Sequence, residues 1–297
     1  MKNFKIIIAA LGLLTFAACE RSEENLNSAA PSQEDKKSFK LGARFVDENV
    51  YKTFKTADME YLSLKFKGKN SASVAALIPA SYTIASSAIG NQGGEGSCVG
   101  WATAYAATSS LEYNFKGISQ ARSPEYVYNQ IKIGSCNDGS YISDALNLIK
   151  NQGVCSITEM PYNDTNCSVQ PSASQKNAAS THKFTSWATV DNTNIANVKT
   201  LLSMNLPIII GIPVDQAFWN IGNTGWIWKK RSGRVDGGHA VCVIGYDDNK
   251  QAFKVQNSWG AGWGSNGYFW IDYSFFAKSR FNTAARAISE SYVAYVE

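Results

Sequence analysis

The sequence predicts an α+β fold with a helical half followed by a strand-rich half, and three observations carry that prediction. In Asn91 to Ala102, NQGGEGSCVGWA, a glycine-rich loop runs into a helix near Cys98, because Ala102, Tyr105, Ala106 and Leu111 recur at helical spacing. Helical signals then continue as far as Gly153. After Asn194 the pattern changes to apolar runs, Ile208 to Val214 and Ala240 to Tyr246, and to the alternating stretch Phe253 to Asn257, all of which read as strands.

In chain order, residues 1–18 read as a signal peptide. Lys2 and Lys5 supply a positive region, and Ile6 to Ala18 an apolar run too short to span a bilayer comfortably. The run ends in Phe16-Ala17-Ala18-Cys19, which resembles a bacterial lipobox, so Cys19 is expected to be lipidated and to become the new N-terminus. An ordinary secretory leader cleaved near Ala18 is the other reading. Ser22-Glu23-Glu24 looks like the acidic signal that sends some Gram-negative lipoproteins to the cell surface. The expected location is the bacterial cell envelope, anchored to the outer membrane by lipid and exposed at its surface. Residues 19–38 are polar, contain Pro31 and make a tether. Residues 39–76 differ, because Phe39, Leu41, Phe45, Val46, Tyr51, Phe54, Leu62 and Phe66 are too apolar for a solvated linker. They form an N-terminal extension packed on the domain that follows, or a short pro-segment. The domain itself is expected over 77–297.

The full chain of 297 residues, 44% of them hydrophobic, suffices for a sizeable core in one or two domains. Its 28 basic and 24 acidic residues show no basic stripe and no nucleic-acid motif, which excludes a nucleic-acid partner. Cys98 is the nucleophile candidate, since the N–H groups and positive end of a helix N-terminus stabilise a thiolate. Read alone, it could equally be a small buried hydrophobe. Ser123-Pro124-Glu125 supplies a cap, an N1 proline and an early acid for a helix to about Ile131. Ile142, Ala145, Leu146 and Ile149 form one apolar face of the next helix, and Asn194 caps a third containing Val198, Leu201 and Leu202.

Cys242, inside a continuous apolar run, reads as core. Asp247-Asp248-Asn249 suits a three-residue hairpin loop with Asn249 in the left-handed position. Centred on Asp248, that hairpin would place His239 directly opposite Asn257, where an amide could hold the imidazole. The other histidine, His182, reads as a solvated loop residue. No zinc spacing, phosphate loop or cofactor fingerprint is present, so no metal and no cofactor are expected.

Cysteine, then histidine, then asparagine is also the order of a known family. His239 in VDGGHAVCVIGYDD and Asn257 in FKVQNSWGAGWGSNGYFWI follow Cys98 by 141 and 159 residues, near the spacing of about 130 to 150 seen in papain and the cathepsins. With these blocks the chain, from about Leu77 onward, resembles the papain-like cysteine peptidases, especially their bacterial branch. It departs from the usual QGxCGSCW pattern twice, with Glu95 in place of the first cysteine and Val99-Gly100 before Trp101. The resemblance implies two subdomains, one helical and one barrel-like, with the active site in the cleft between them.

It also implies roles. Cys98 is the nucleophile, His239 its proton carrier, Asn257 the orienting amide and Gln92 an oxyanion donor. Trp259 shields the histidine or is plain core. Cys136-Asn137-Asp138-Gly139 resembles the family's CNGG turn, so Gly139 lines the cleft or is only a turn glycine. Gly238, just before His239, suggests a roomy substrate pocket without fixed charge. In the family the turn cysteine pairs with the one replaced by Glu95. Cys155 and Cys167 are then the candidates for Cys136, and Cys167 is favoured. The implied activity is endopeptidase hydrolysis of a protein or peptide substrate. An inactive binding or adhesion protein on the same scaffold, or an acyl transferase, are the alternatives.

Overall fold

The computed structural model describes residues 39–67 and 78–297. The leader, the lipidation position Cys19, the tether and residues 68–77 of the extension and domain start lie outside the described residues. Among the described residues, no helix is long and apolar enough to cross a membrane.

The helices in chain order are α1 (Glu48–Thr53), α2 (Met59–Lys67), the three-part α3, then α4 (Pro124–Ile131), α5 (Ile142–Asn151), α6 (Ala173–Ala179), α7 (Ile195–Ser203), α8 (Gln216–Trp219) and α9 (Tyr273–Phe276). The strands are β1 (Ala43–Arg44), β2 (Ser81–Thr83), β3 (Ser140–Tyr141), β4 (Ser186–Thr189), β5 (Ile208–Asp215), β6 (Ile227–Trp228), β7 (Val235–Asp247), β8 (Ala252–Gln256), β9 (Tyr268–Asp272) and β10 (Glu290–Tyr295). One sheet has the order β4-β10-β5-β7-β8-β9-β6 with β2 added to β7, and a small parallel pair joins β1 to β3. Helices thus occupy the first half and the large sheet the second, as expected of an α+β chain.

Local chemistry sets most helix starts. Ser123 Oγ accepts the Tyr126 N–H ahead of α4, and Asn194 caps α7 through the Asn197 N–H. Helix α5 buries Ile142, Ala145, Leu146 and Ile149, the face its periodicity predicts. Helix α3 is less regular. It starts at Cys98–Gly100, widens into a π-helical stretch over Trp101–Thr108 and returns to α over Ser109–Lys116. The cause is visible in its hydroxyls: Thr108 Oγ1 and Ser109 Oγ donate to carbonyls five residues back, at 2.8 and 3.3 Å, and hold the wider turn.

Strand β5 is buried along its whole length and lies between β7 and β10. Cys242 is fully buried in β7, in the core as predicted. The β7–β8 hairpin corrects the expected register. Asp247 pairs with Ala252, leaving a four-residue turn, and Gln251, not Asn249, takes a positive φ of 51°. A bulge between Val243 and Gly245 then shifts the pairing to Cys242 with Gln256. Continued, this register aligns His239 with Trp259 and leaves Asn257 on the diagonal.

His182 is also corrected. It is only part-exposed, and its Nδ1 lies 2.8 Å from Glu112 Oε1. A fully buried carboxylate needs partners, and His182 and Arg122 supply them.

Residues 39–67 pack on the domain instead of standing off it. Tyr51 Oη donates to Ser291 O at 3.0 Å, Ala57 N–H donates to Thr189 O at 2.8 Å, and Phe66 meets Phe115 and Tyr295.

Candidate active site

The start of α3 and the start of β7 bring Cys98 and His239 together. The backbone N–H of Ala240, the residue after His239, donates to Cys98 Sγ at 3.4 Å. His239 Nε2 lies 2.7 Å from Asn257 Oδ1, which also accepts the Ser258 N–H at 2.8 Å. This amide orientation assigns the proton to Nε2 and leaves Nδ1 with a free lone pair. Nδ1 is buried and has no hydrogen-bond partner. A buried thiol met by the N–H of the residue after a histidine, whose imidazole has one nitrogen held and the other without a hydrogen-bond partner, holds the groups of a thiol–imidazole pair in one place.

Asn257 reaches His239 despite the shifted register, because diagonal neighbours across a sheet remain within reach of one another. Trp259, aligned with His239, stacks on its ring with centroids 4.4 Å apart. Trp219 stacks on Trp259 in near-parallel contact, with centroids 5.5 Å apart. The histidine therefore has an aromatic cover that keeps water off it.

Gln92 is fixed from three sides. Its backbone N–H donates to Ser258 O, its Oε1 accepts from Ser258 Oγ at 2.7 Å, and its Nε2 donates to Glu95 O at 2.9 Å. The Nε2 is thereby aimed at the cleft, where it makes a further bond described below.

Glu95 stands where the resemblance would place a cysteine, and the chemistry there has changed. Cys136 is bonded instead to Cys167, with Cα atoms 5.5 Å apart. Among the described residues Cys98, Cys155 and Cys242 remain free and buried. Glu95 lies within 4.8 Å of both disulfide sulfurs, but these sulfurs are bonded to each other and cannot serve as thiolate ligands. Its carboxyl is 1% exposed and is pushed up to about 7 by burial and by the nearby Glu125 charge. Tyr162 ties this loop together, with Oη 2.6 Å from both Ser97 Oγ and Gln92 O.

The cleft is not open. Residues 39–46 run through it and lie against Cys98, Gln92, Gly139, Gly238 and Trp259. Phe39 stacks on Trp259 with centroids 4.9 Å apart. Lys40 O accepts from Gln92 Nε2 at 3.1 Å. The Gly42 N–H points at Cys98 Sγ, and Gly42 O accepts the Ser140 N–H at 2.9 Å. β1 then pairs with β3 beside Gly139, and Phe45 covers Gly238. Gly139, with φ 76°, has no room for a side chain, since a Cβ there would lie 1.9 Å from Gly42 O.

Covering the site also changes its charge state. Burial pushes the Cys98 thiol up to about 11 and the His239 imidazole down to about 4, so both groups are neutral between those values. The thiol sulfur is met by the backbone N–H groups of Ala240 and Gly42.

Of the residues singled out in the sequence, Cys98, Gln92, Gly139, Gly238 and Trp259 lie along residues 39–46, and His239 joins them through its bond to Asn257 and its stack on Trp259. Sequence reasoning did not find Lys40 or Gly42 in the site. The only signal was the apolar content of 39–66, which shows that the segment packs but not where. Gly42 gave no signal, because only the surrounding backbone shows why a side chain cannot fit.

Comparison with known proteins gives this geometry a family. An uncharacterized peptidase C1-like protein of Acanthamoeba polyphaga mimivirus is 30% identical over 207 residues, 63% of this chain and 65% of its own length. Cathepsin K of Mus musculus is 28% identical over 184 residues, 60% of this chain and 54% of its own. The matches thus span less than two-thirds of these relatives. Among solved structures, xylellain, a cysteine protease from Xylella fastidiosa, superposes with a TM-score of 0.68 at 25% identity, covering 88% of this chain and 97% of that one. Bromelain protease from Ananas comosus, at 24% identity and TM-score 0.57, shares the fold over 74% of this chain and 100% of that one. The model of the papain family cysteine proteases matches residues 80–288, and with the thiol, imidazole and amide assembled as described, the chain belongs to that family.

Proposed function

We propose that this chain is a cysteine endopeptidase acting on protein or peptide substrates, held inactive by its own residues 39–46 until they leave the cleft. The observation that carries the reading is the Cys98 thiol, bonded by the N–H of Ala240, together with the preceding His239, whose Nε2 is held 2.7 Å from Asn257. With the cleft open to water, the burial that keeps both groups neutral is relieved and a thiolate–imidazolium pair can form. The thiolate attacks the scissile carbonyl carbon, and Gln92 Nε2 with the Cys98 N–H stabilises the oxyanion. Imidazolium gives its proton to the leaving nitrogen as the C–N bond breaks. Water, deprotonated by His239, then cleaves the thioester and releases the acid.

The test, made on a variant whose residues 39–46 are dislodged from the cleft, is a thiol-alkylating peptide probe followed by mass mapping of the labelled residue. Labelling at Cys98, with loss of peptidase activity, is expected. Labelling at Cys242 or Cys155 instead, or full activity in Cys98→Ala, defeats the reading.

We further infer, from the Phe16-Ala17-Ala18-Cys19 ending, that the protein is lipid-anchored at Cys19 in a bacterial envelope. Cys19→Ala is expected to release it from the membrane fraction with its peptidase activity per folded molecule unchanged. An unmodified mature N-terminus beyond Cys19, seen by mass spectrometry, rules the anchor out.

A further inference from the structure

Glu95 is a buried carboxyl with too few partners. Among the described residues its Oε1 has no hydrogen-bond partner, and its Oε2 has only the Tyr162 hydroxyl, at 3.4 Å. Tyr162 spends its shorter contacts, 2.6 Å each, on Ser97 Oγ and Gln92 O. What Glu95 does face is the disulfide, since one carboxyl oxygen lies within 4.8 Å of both the Cys136 and the Cys167 sulfur.

The two sulfurs are not equivalent. Cys136 is part-exposed, and its Sγ accepts the Cys167 N–H at 3.2 Å, whereas Cys167 is buried. An incoming thiolate therefore reaches Cys136, and Cys167 must leave into a buried place where a thiolate is costly and a proton is needed. The bond also braces the loop that carries Cys98. On one side Cys136 O accepts the Gly96 N–H at 2.8 Å and the Tyr128 hydroxyl at 2.7 Å. On the other, Asp164 Oδ2 accepts the Gly94 N–H at 3.1 Å, and the Asn163 N–H donates to Glu125 Oε2 at 3.2 Å.

We propose that Cys136–Cys167 is a thiol–disulfide exchange site for a dithiol reductant, with the Glu95 carboxyl as proton donor to the Cys167 sulfur. A thiolate of the reductant bonds to Cys136 Sγ, the Cys136–Cys167 bond breaks, and its electron pair goes to Cys167 Sγ, which takes the Glu95 proton. The second thiolate of the reductant then bonds to the first, releasing Cys136 as a thiolate beside the Cys167 N–H, and water returns a proton to Cys136 and to Glu95. The protein gains two electrons and the dithiol becomes a disulfide. Glu95 is suited to the task at neutral pH. Burial, then the Glu125 and Asp164 charges, raise its carboxyl against the Tyr162 bond and the Lys132 charge, to about 7. Tyr128, the other titratable group that feels it, is itself raised by burial and stays neutral there. Reduction releases both ends of the brace, so the Cys98 loop loosens and peptide turnover falls. That last consequence alone rests on the peptidase reading.

The full chain and its Glu95→Gln variant, which keeps the shape of the neutral acid without its acidic proton, would be treated with excess dithiothreitol from about pH 5.5 to about pH 9. Acid-quenched samples labelled with a maleimide and mass-mapped give the rate at which Cys136 and Cys167 become thiols. In the parent that rate should rise about tenfold per pH unit to about pH 7 and then level off, because the thiolate gained by the reductant is offset by the proton lost from Glu95. In Glu95→Gln it should be about a hundredfold slower at the acid end and should keep rising to the alkaline end. Profiles that differ by one factor at every pH show a merely structural Glu95 and overturn the proposal, as does a disulfide that resists reduction throughout. In a variant whose residues 39–46 are dislodged, reduction should lower turnover per reactive Cys98 about tenfold or more. Equal turnover in both forms overturns the brace and leaves the peptidase reading intact. A Cys98 that is unreactive in both forms overturns the peptidase reading, and the exchange chemistry then stands or falls on the rate profile.

Discussion

In Gly42→Val, peptide turnover by the full chain should rise, by about a hundredfold. A Cβ on Gly42 would lie 1.8 Å from Gly96 O, and that oxygen is backbone at the entrance to α3, which cannot move aside without moving the Cys98 loop. Overpacking of this kind costs about 3 kcal/mol, and each 1.4 kcal/mol is about a factor of ten in the fraction of molecules with the segment seated. Helices α1 and α2 would still hold the rest of the extension, through Tyr51, Ala57 and the Lys65–Glu297 pair, so the domain should stay folded. The measurements are hydrolysis of a fluorogenic peptide and the pH profile of Cys98 alkylation. In the unmodified chain alkylation should be slow until the thiol titrates, near the value of about 11 that burial imposes. In the variant it should proceed below neutral pH. A variant that melts like the parent yet shows no gain in either measurement means that 39–46 is not what silences the site.

His239→Ala, made in the same open background, should drop turnover by about ten-thousandfold or more. The reason is that one ring does two jobs, stabilising the thiolate and carrying the proton to the leaving nitrogen. Alkylation of Cys98 at low pH should slow with it. Gln92→Ala removes only an oxyanion donor and should cost about a hundredfold to a thousandfold in turnover, while a simple haloamide, which forms no tetrahedral oxyanion, reacts almost normally. Asn257→Ala should fall between, because His239 keeps its chemistry and the Trp259 stack but loses the 2.7 Å bond that fixes it. If Gln92→Ala slows haloamide alkylation as much as His239→Ala does, both act through the thiolate, and the division into ion pair and oxyanion hole is wrong.

What could be read from the sequence was what depends on near neighbours along the chain. The starts of α4 and α7 follow from Ser123-Pro124 and Asn194, whose side chains bond N–H groups three residues on. The buried face of α5 follows from apolar spacing alone. Cys98, His239, Asn257 and Gln92 were identifiable because a nucleophile, a proton carrier and an orienting amide must be those residue types, and each sits in a recognisable local block.

The rest rested on contacts between distant parts of the chain. The β7–β8 register was misjudged because a bulge and a four-residue turn each shift the pairing, and neither has a compelling signal in Asp247 to Gln251. Glu95 was seen as a missing cysteine, but its raised carboxyl depends on Glu125, Tyr162 and Asp164 meeting it in space. Lys40 on Gln92, Gly42 on Cys98 and Val46 on Glu290 join residues 52, 56 and 244 positions apart. Such contacts are chosen by how whole elements pack. The sequence determined which groups could do the chemistry, and the tertiary structure decided that they are covered and what covers them.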